Sequence, residues 1–140
     1  MQSSKLRIGI ISAEKSGDYL AASFIESLKS SGRDFELFGI GGKELDNFNI
    51  SRPQDFDREI LNVMGIIDPL KNLRQILRAR KQILDFLISK NINIFIGVDS
   101  PDLNSFFHKN LKKINSTINF QIVSPSVWAW RSGRVKQLRK

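Results

Sequence analysis

At 140 residues the chain is long enough for one domain with a real core, and 41% hydrophobic with 26% charged residues excludes wholesale disorder. It has no cysteine and a single histidine, His108, so disulfides and thiolate metal sites are excluded, and any histidine-based zinc site or Ser-His-Asp triad would rest on that one ring. The formal charge of +8 points to a polyanionic partner: nucleic acid, a phosphorylated ligand or an anionic membrane surface.

The opening "MQSSKLRIGIIS" has only a short apolar stretch and reads as a strand rather than a signal peptide, over Leu6 to Ser12. After the turn "EKSGD", Tyr19, Leu20, Phe24, Ile25 and Leu28 recur at helical spacing, and Ser30 to Gly32 stop that helix. "FELFGIGG" (35–42) is a second strand running into a glycine pair; residues 43–60 are polar and irregular. Residues 67–90 read as the longest helix, with Leu70, Leu73, Leu77, Leu84 and Leu87 as its apolar stripe and Lys71, Arg74, Arg78 and Lys81 as a basic opposite face. "INIFIGV" (92–98) is a third buried strand. Pro101 suits the first turn of a helix capped by Ser100, running through Phe106 and Phe107 to about Lys113. "INFQIVS" (118–124) is a fourth strand, and another helix is expected near Trp128. No run approaches the roughly 18 apolar residues of a membrane span.

Strands alternating with helices at this pace predict right-handed βαβ units, hence an α/β, Rossmann-like parallel sheet with helices on both faces. In such sheets ligands bind beyond the carboxyl ends of the strands. After the first strand, Ser16 and Gly17 lead into a helix N-terminus whose free N–H groups suit an anion. The same residues also read as an ordinary turn, capped by Ser16 or Asp18. After the third strand, Asp99 sits where a carboxylate can take a proton from a hydroxyl, or where it simply serves the turn, while Asp102 complements the helix dipole. After the fourth, Pro125 stiffens a turn flanked by Ser124 and Ser126. Trp128 and Trp130 offer flat faces for a sugar or an acyl chain, and Arg131 and Arg134 suit a phosphate; a core tryptophan and a solvated basic face explain the same residues.

The segments "SAEKSGD" (12–18), "FGIGG" (38–42), "LNVMGI" (61–66), "IGVDSPDLN" (96–104) and "VSPSVWAWRSGRV" (123–135) occur in an order that resembles the lipid-A-disaccharide synthases, end to end. The last of them is the most specific. The resemblance implies the incomplete N-terminal, acceptor-side domain of a GT-B glycosyltransferase, with a second Rossmann domain supplying most UDP-binding groups. The implied reaction moves 2,3-diacylglucosamine from its UDP conjugate to 2,3-diacylglucosamine 1-phosphate, without metal or cofactor, at the inner face of a bacterial cytoplasmic membrane. Residue by residue, Asp99 matches the general base for the acceptor's 6-hydroxyl. Ser16, Gly17 and Asp18 match the first loop, Met64 and Gly65 a segment near the acceptor, and Ser124, Pro125, Ser126, Trp128 and Arg131 the crevice-facing turn. Ala13 departs from the family's usual glycine, which matters if the backbone there must reach positive φ; Val98 and Leu103 are milder changes. The basic helix of residues 67–90 suits contact with an anionic membrane, and equally reads as a solvated helix face. These 140 residues alone are expected to have negligible transferase activity, because the reaction depends on holding two substrates in line. Two other readings remain: a different UDP-sugar-dependent GT-B transferase, and a nucleic-acid-binding module without enzymatic activity. The spread of charge along the chain and the lack of a nucleic-acid-binding motif favour no nucleic-acid partner.

Overall fold

A computed structural model describes residues 4–60 and 73–122. Their elements run β1 (Leu6–Ser12), α1 (Lys15–Ser30), β2 (Phe35–Ile40), α2 (Lys43–Asp46), α3 (Leu73–Ser89), β3 (Ile94–Val98), α4 (Pro101–Asn115) and β4 (Ile118–Ile122). The four strands form one parallel sheet in the order β2-β1-β3-β4. The sheet is the expected α/β, Rossmann-like one. Because the chain steps from β1 out to β2 and then back across to β3, right-handed crossovers put helices on both faces.

The alternation of side chains along the strands divides the core in two. Ile8 and Ile10 of β1 and Ile96 and Val98 of β3 pack under Ala21 and Ile25 of α1, with Leu45 of α2. On the other face Ile11, Phe38, Ile40 and Phe95 meet Ile83 and Leu87 of α3 and Leu103, Phe107 and Leu111 of α4. Each fully buried Ile, Leu or Phe contributes about 1.5–3 kcal/mol relative to exposure.

Several sequence expectations need correcting. On α3 the buried side chains are Ile76, Ala79, Ile83 and Leu87, whereas Leu73 and Leu77 are about half exposed (47% and 52%). Leu73 and Leu77 are therefore turned away from the sheet, Leu84 packs half-buried against the core, and of the described residues in the expected stripe only Leu87 is fully buried. On α1, Ala21 and Ile25 face the core while Tyr19, Leu20 and Phe24 are exposed. The reason is the same for both helices. Each carries apolar residues on more than one face, and contact with the sheet selects the face of small and β-branched side chains that allows close approach.

Caps also differ from expectation. Pro101 does begin α4, but the side chain of Ser100 makes no capping hydrogen bond. Glu14, not Ser16 or Asp18, occupies the N-cap position of α1, again with no side-chain cap of its own. The stretch at 43–60 holds more order than its polarity suggested: it contains α2 and a bridge between Phe38 and Ser51, and both Arg52 and Arg58 pair with Asp46. The start of the long helix before Leu73, the helix expected near Trp128 and the end of the fourth strand lie outside the described residues. No helix among the described residues is long and apolar enough to cross a membrane.

Candidate functional site

The carboxyl ends of β1, β2 and β3 bring together the loops at 12–18, 41–44 and 99–104. Two buried carboxylates organise them, Asp18 (4% exposed) and Asp99 (5% exposed).

Asp18 lies in the first turn of α1, yet its side chain serves the neighbouring loop. Its Oδ1 accepts the Gly42 N–H at 2.7 Å and its Oδ2 accepts the Glu44 N–H at 2.8 Å. It is the cap of α2, supplied from another element. These are short, charge-assisted bonds, and they fasten the glycine pair to α1.

Asp99 follows β3 directly, and its own N–H continues the ladder to the Ile122 carbonyl at 3.0 Å. Its carboxylate reaches across to the β1–α1 loop. There Oδ1 accepts the Ala13 N–H at 3.3 Å, and Oδ2 accepts the Glu14 N–H at 3.1 Å and the Ser12 hydroxyl at 3.4 Å. Gly17 is the reason it fits. A Cβ on residue 17 would stand 1.7 Å from Asp99 Oδ2, so only glycine lets the first turn of α1 pass so close. Burial pushes the Asp99 carboxyl up from its ordinary value, with Glu14 nearby adding to the rise, while the Glu14 and Ala13 amides pull the other way.

The Asp99 carboxyl thus sits against the loop just before α1, on the amides of Ala13 and Glu14. Ala13 is not among the described residues with positive φ, so its methyl meets no backbone strain there, and its amide donates to Asp99. Asp99 and Ser100, by contrast, are two successive non-glycine residues with positive φ (55° and 28°). Backbone of this kind costs about 1–3 kcal/mol per residue and gathers at functional sites.

Of the sequence candidates, the structure brings Gly17 and Asp99 into contact and sets Asp18 beside them, facing the 41–44 loop. Ser16 is exposed one residue away. Met64, Gly65, Ser124, Pro125, Ser126, Trp128 and Arg131 lie outside the described residues. Residues that sequence reasoning left without a role are Ser12, Asn104, Gln121 and His108. Asn104 donates to the carbonyls of Val98 and Asp99, and Gln121 bonds both the Asp99 carbonyl and the His108 ring. The polar Asn119 and Gln121, alternating with Ile118, Phe120 and Ile122 in the fourth strand, were a sequence signal. Burial pushes the His108 imidazole below its ordinary value. Among the described residues no cluster of three or more His, Asp or Glu side chains is arranged to hold a metal.

A family model described as lipid-A-disaccharide synthetase matches residues 8–140. The lipid-A-disaccharide synthase of Dechloromonas aromatica is 42% identical over 142 residues, covering 98% of this chain and 35% of the relative. That of Acinetobacter baylyi is 40% identical over 138 residues, covering 96% of this chain and 34% of the relative. That of Blochmanniella floridana is 39% identical over 133 residues, at 95% and 34%. The chain spans about a third of the length of these curated relatives.

Proposed function

This chain belongs to the lipid-A-disaccharide synthetase family, and from that premise we propose that it is the acceptor-side part of a GT-B glycosyltransferase of lipid A biosynthesis. The donor is UDP-2,3-diacylglucosamine and the acceptor 2,3-diacylglucosamine 1-phosphate. The acceptor's 6-hydroxyl oxygen bonds to the donor's anomeric carbon, the bond from that carbon to the diphosphate breaks, and UDP leaves with the electron pair. Asp99 takes the hydroxyl proton. No metal or cofactor is required by this scheme.

The observation that carries the reading is the contrast between the two buried carboxylates. Asp18 is met by amides at 2.7 and 2.8 Å, whereas the bonds to Asp99 run from 3.1 to 3.4 Å. A carboxylate that is held but loosely solvated keeps lone pairs for a substrate proton, and its raised pKa strengthens it as a base. The exposed Leu73 and Leu77, beside Arg74 and Arg78 on α3, suit peripheral contact with an anionic inner-membrane surface, where an acylated acceptor would reside.

The test is turnover by the whole gene product with both acylated substrates. Asp99→Asn is expected to lower kcat by about 10²–10⁴-fold, and residues 1–140 alone are expected to show negligible transfer. Undiminished turnover by Asp99→Asn would remove the base assignment. Equal use of a deacylated acceptor would favour a different UDP-sugar transferase of the same fold.

A further inference from the structure

We infer that Gln121, together with Asn104, is a positioning residue that holds Asp99 in its working conformation; this rests on the reading of Asp99 as the base. The starting point is the backbone. Asp99 and Ser100 both have positive φ, and a peptide in that state persists only where its surroundings over-determine it.

Those surroundings are specific. The Asp99 carbonyl accepts two side-chain amides from different elements, Asn104 Nδ2 of α4 at 2.9 Å and Gln121 Nε2 of β4 at 2.9 Å. With the Asp99 N–H on the Ile122 carbonyl, the peptide groups on both sides of its Cα are pinned. Rotation of either would swing the carboxylate away from Ser12, Ala13 and Glu14.

Gln121 is itself oriented. Its Nε2 donates to the carbonyls of Asp99 and Ile122, so its Oε1 is the acceptor for His108 Nε2–H at 2.9 Å. The His108 ring stands edge-on to Phe95, with centroids 5.0 Å apart. The slot for this amide pair is made by Gly97, which lies opposite Gln121 in the β3–β4 register. A Cβ on residue 97 would fall 2.6 Å from Gln121 Oε1 and 2.8 Å from Asn104 Cβ. Asn104 and Gln121 thus converge on one carbonyl, with His108 holding the Gln121 amide and Gly97 leaving room for it, and that carbonyl belongs to the residue read as the base.

The deciding experiment uses the whole gene product, with Asp99→Asn alongside. Gln121→Met keeps the side chain's length but removes its donor. It is expected to lower kcat by about 10- to 100-fold, the order of cost for a small misplacement of a reacting group, with both KM values within about twofold of the parent. Gln121→Glu, assayed above neutral pH where its carboxylate cannot donate, is the second variant and is expected to lose turnover in the same way. Parental kcat in a folded Gln121→Met, with Asp99→Asn inactive, overturns the positioning role and leaves the base intact. A fall in melting temperature without a fall in kcat, or failure of both variants to fold, makes Gln121 structural and overturns it too. Full activity of Asp99→Asn overturns the base reading, and this inference with it.

Discussion

Asp18 and Asp99 are each buried and each met by backbone amides, yet only one is left with weak partners. For Asp99, burial sets the pH dependence. Burial raises the Asp99 carboxyl, so its protonated form persists to higher pH than in a free aspartate. A base must be ionised, so activity should fall as pH drops through that raised value. The acid limb of a kcat/KM profile is expected above the ordinary carboxylate value of about 3.9. Ser12→Ala, which removes one bond to the ionised form, should move the limb further upward. For stability the sign is opposite: the contribution of a raised carboxyl is present at acid pH and is lost as pH rises through its folded value. Gly17→Ala tests the same contact from the other side. Its methyl would sit 1.7 Å from Asp99 Oδ2, so α1 or Asp99 must move. We expect a loss of about 1–3 kcal/mol in unfolding free energy, read by denaturant titration, together with reduced turnover. The motif containing Gly17 was legible in the sequence; its contact with a residue 82 positions later was not.

Helices α1 and α3 illustrate what periodicity can and cannot supply. The sequence identified both as helices, because apolar residues recur every three or four positions through each. On α3 it misjudged the face, and on α1 its set mixed core residues, Ile25 and Leu28, with the exposed Tyr19, Leu20 and Phe24. Leu73, Leu77 and Leu84 lie roughly a quarter turn from the direction of Ile76, Ala79, Ile83 and Leu87 at 100° per residue. Both stripes satisfy the pattern, and only the sheet's choice of neighbour separates them. Leu87→Ala should therefore cost about 2–5 kcal/mol, while Leu77→Ser should stay within about 0.5 kcal/mol. The same Leu77→Ser protein is expected to sediment less with anionic vesicles at low salt. Equal vesicle retention would mean that the exposed leucines take no part in membrane contact. Capping followed a similar course. Helix α2 is capped by Asp18, an acid that the sequence offered only as a cap for the turn at the start of its own helix.

At the scale of the whole molecule, the order β2-β1-β3-β4 collects loops far apart in the chain at one end of the sheet. Parallel strands send every strand-to-helix turn to the same edge, which is why "SAEKSGD", the glycine pair and "GVDSPD" meet. The sequence by itself determined the type of the four strands and of the longer helices α1, α3 and α4, the parallel α/β class and the identity of the acid at the end of β3, but not the short α2. Short β-branched runs, turn glycines and a proline at a helix start are local signals, and local signals survive without a structure. Only the tertiary structure decided that Asp99 reaches back to the start of α1, that Asp18 caps a different helix, and that Asn104 and Gln121 share one carbonyl. Those are contacts between elements, and no propensity or spacing within one element encodes its partner.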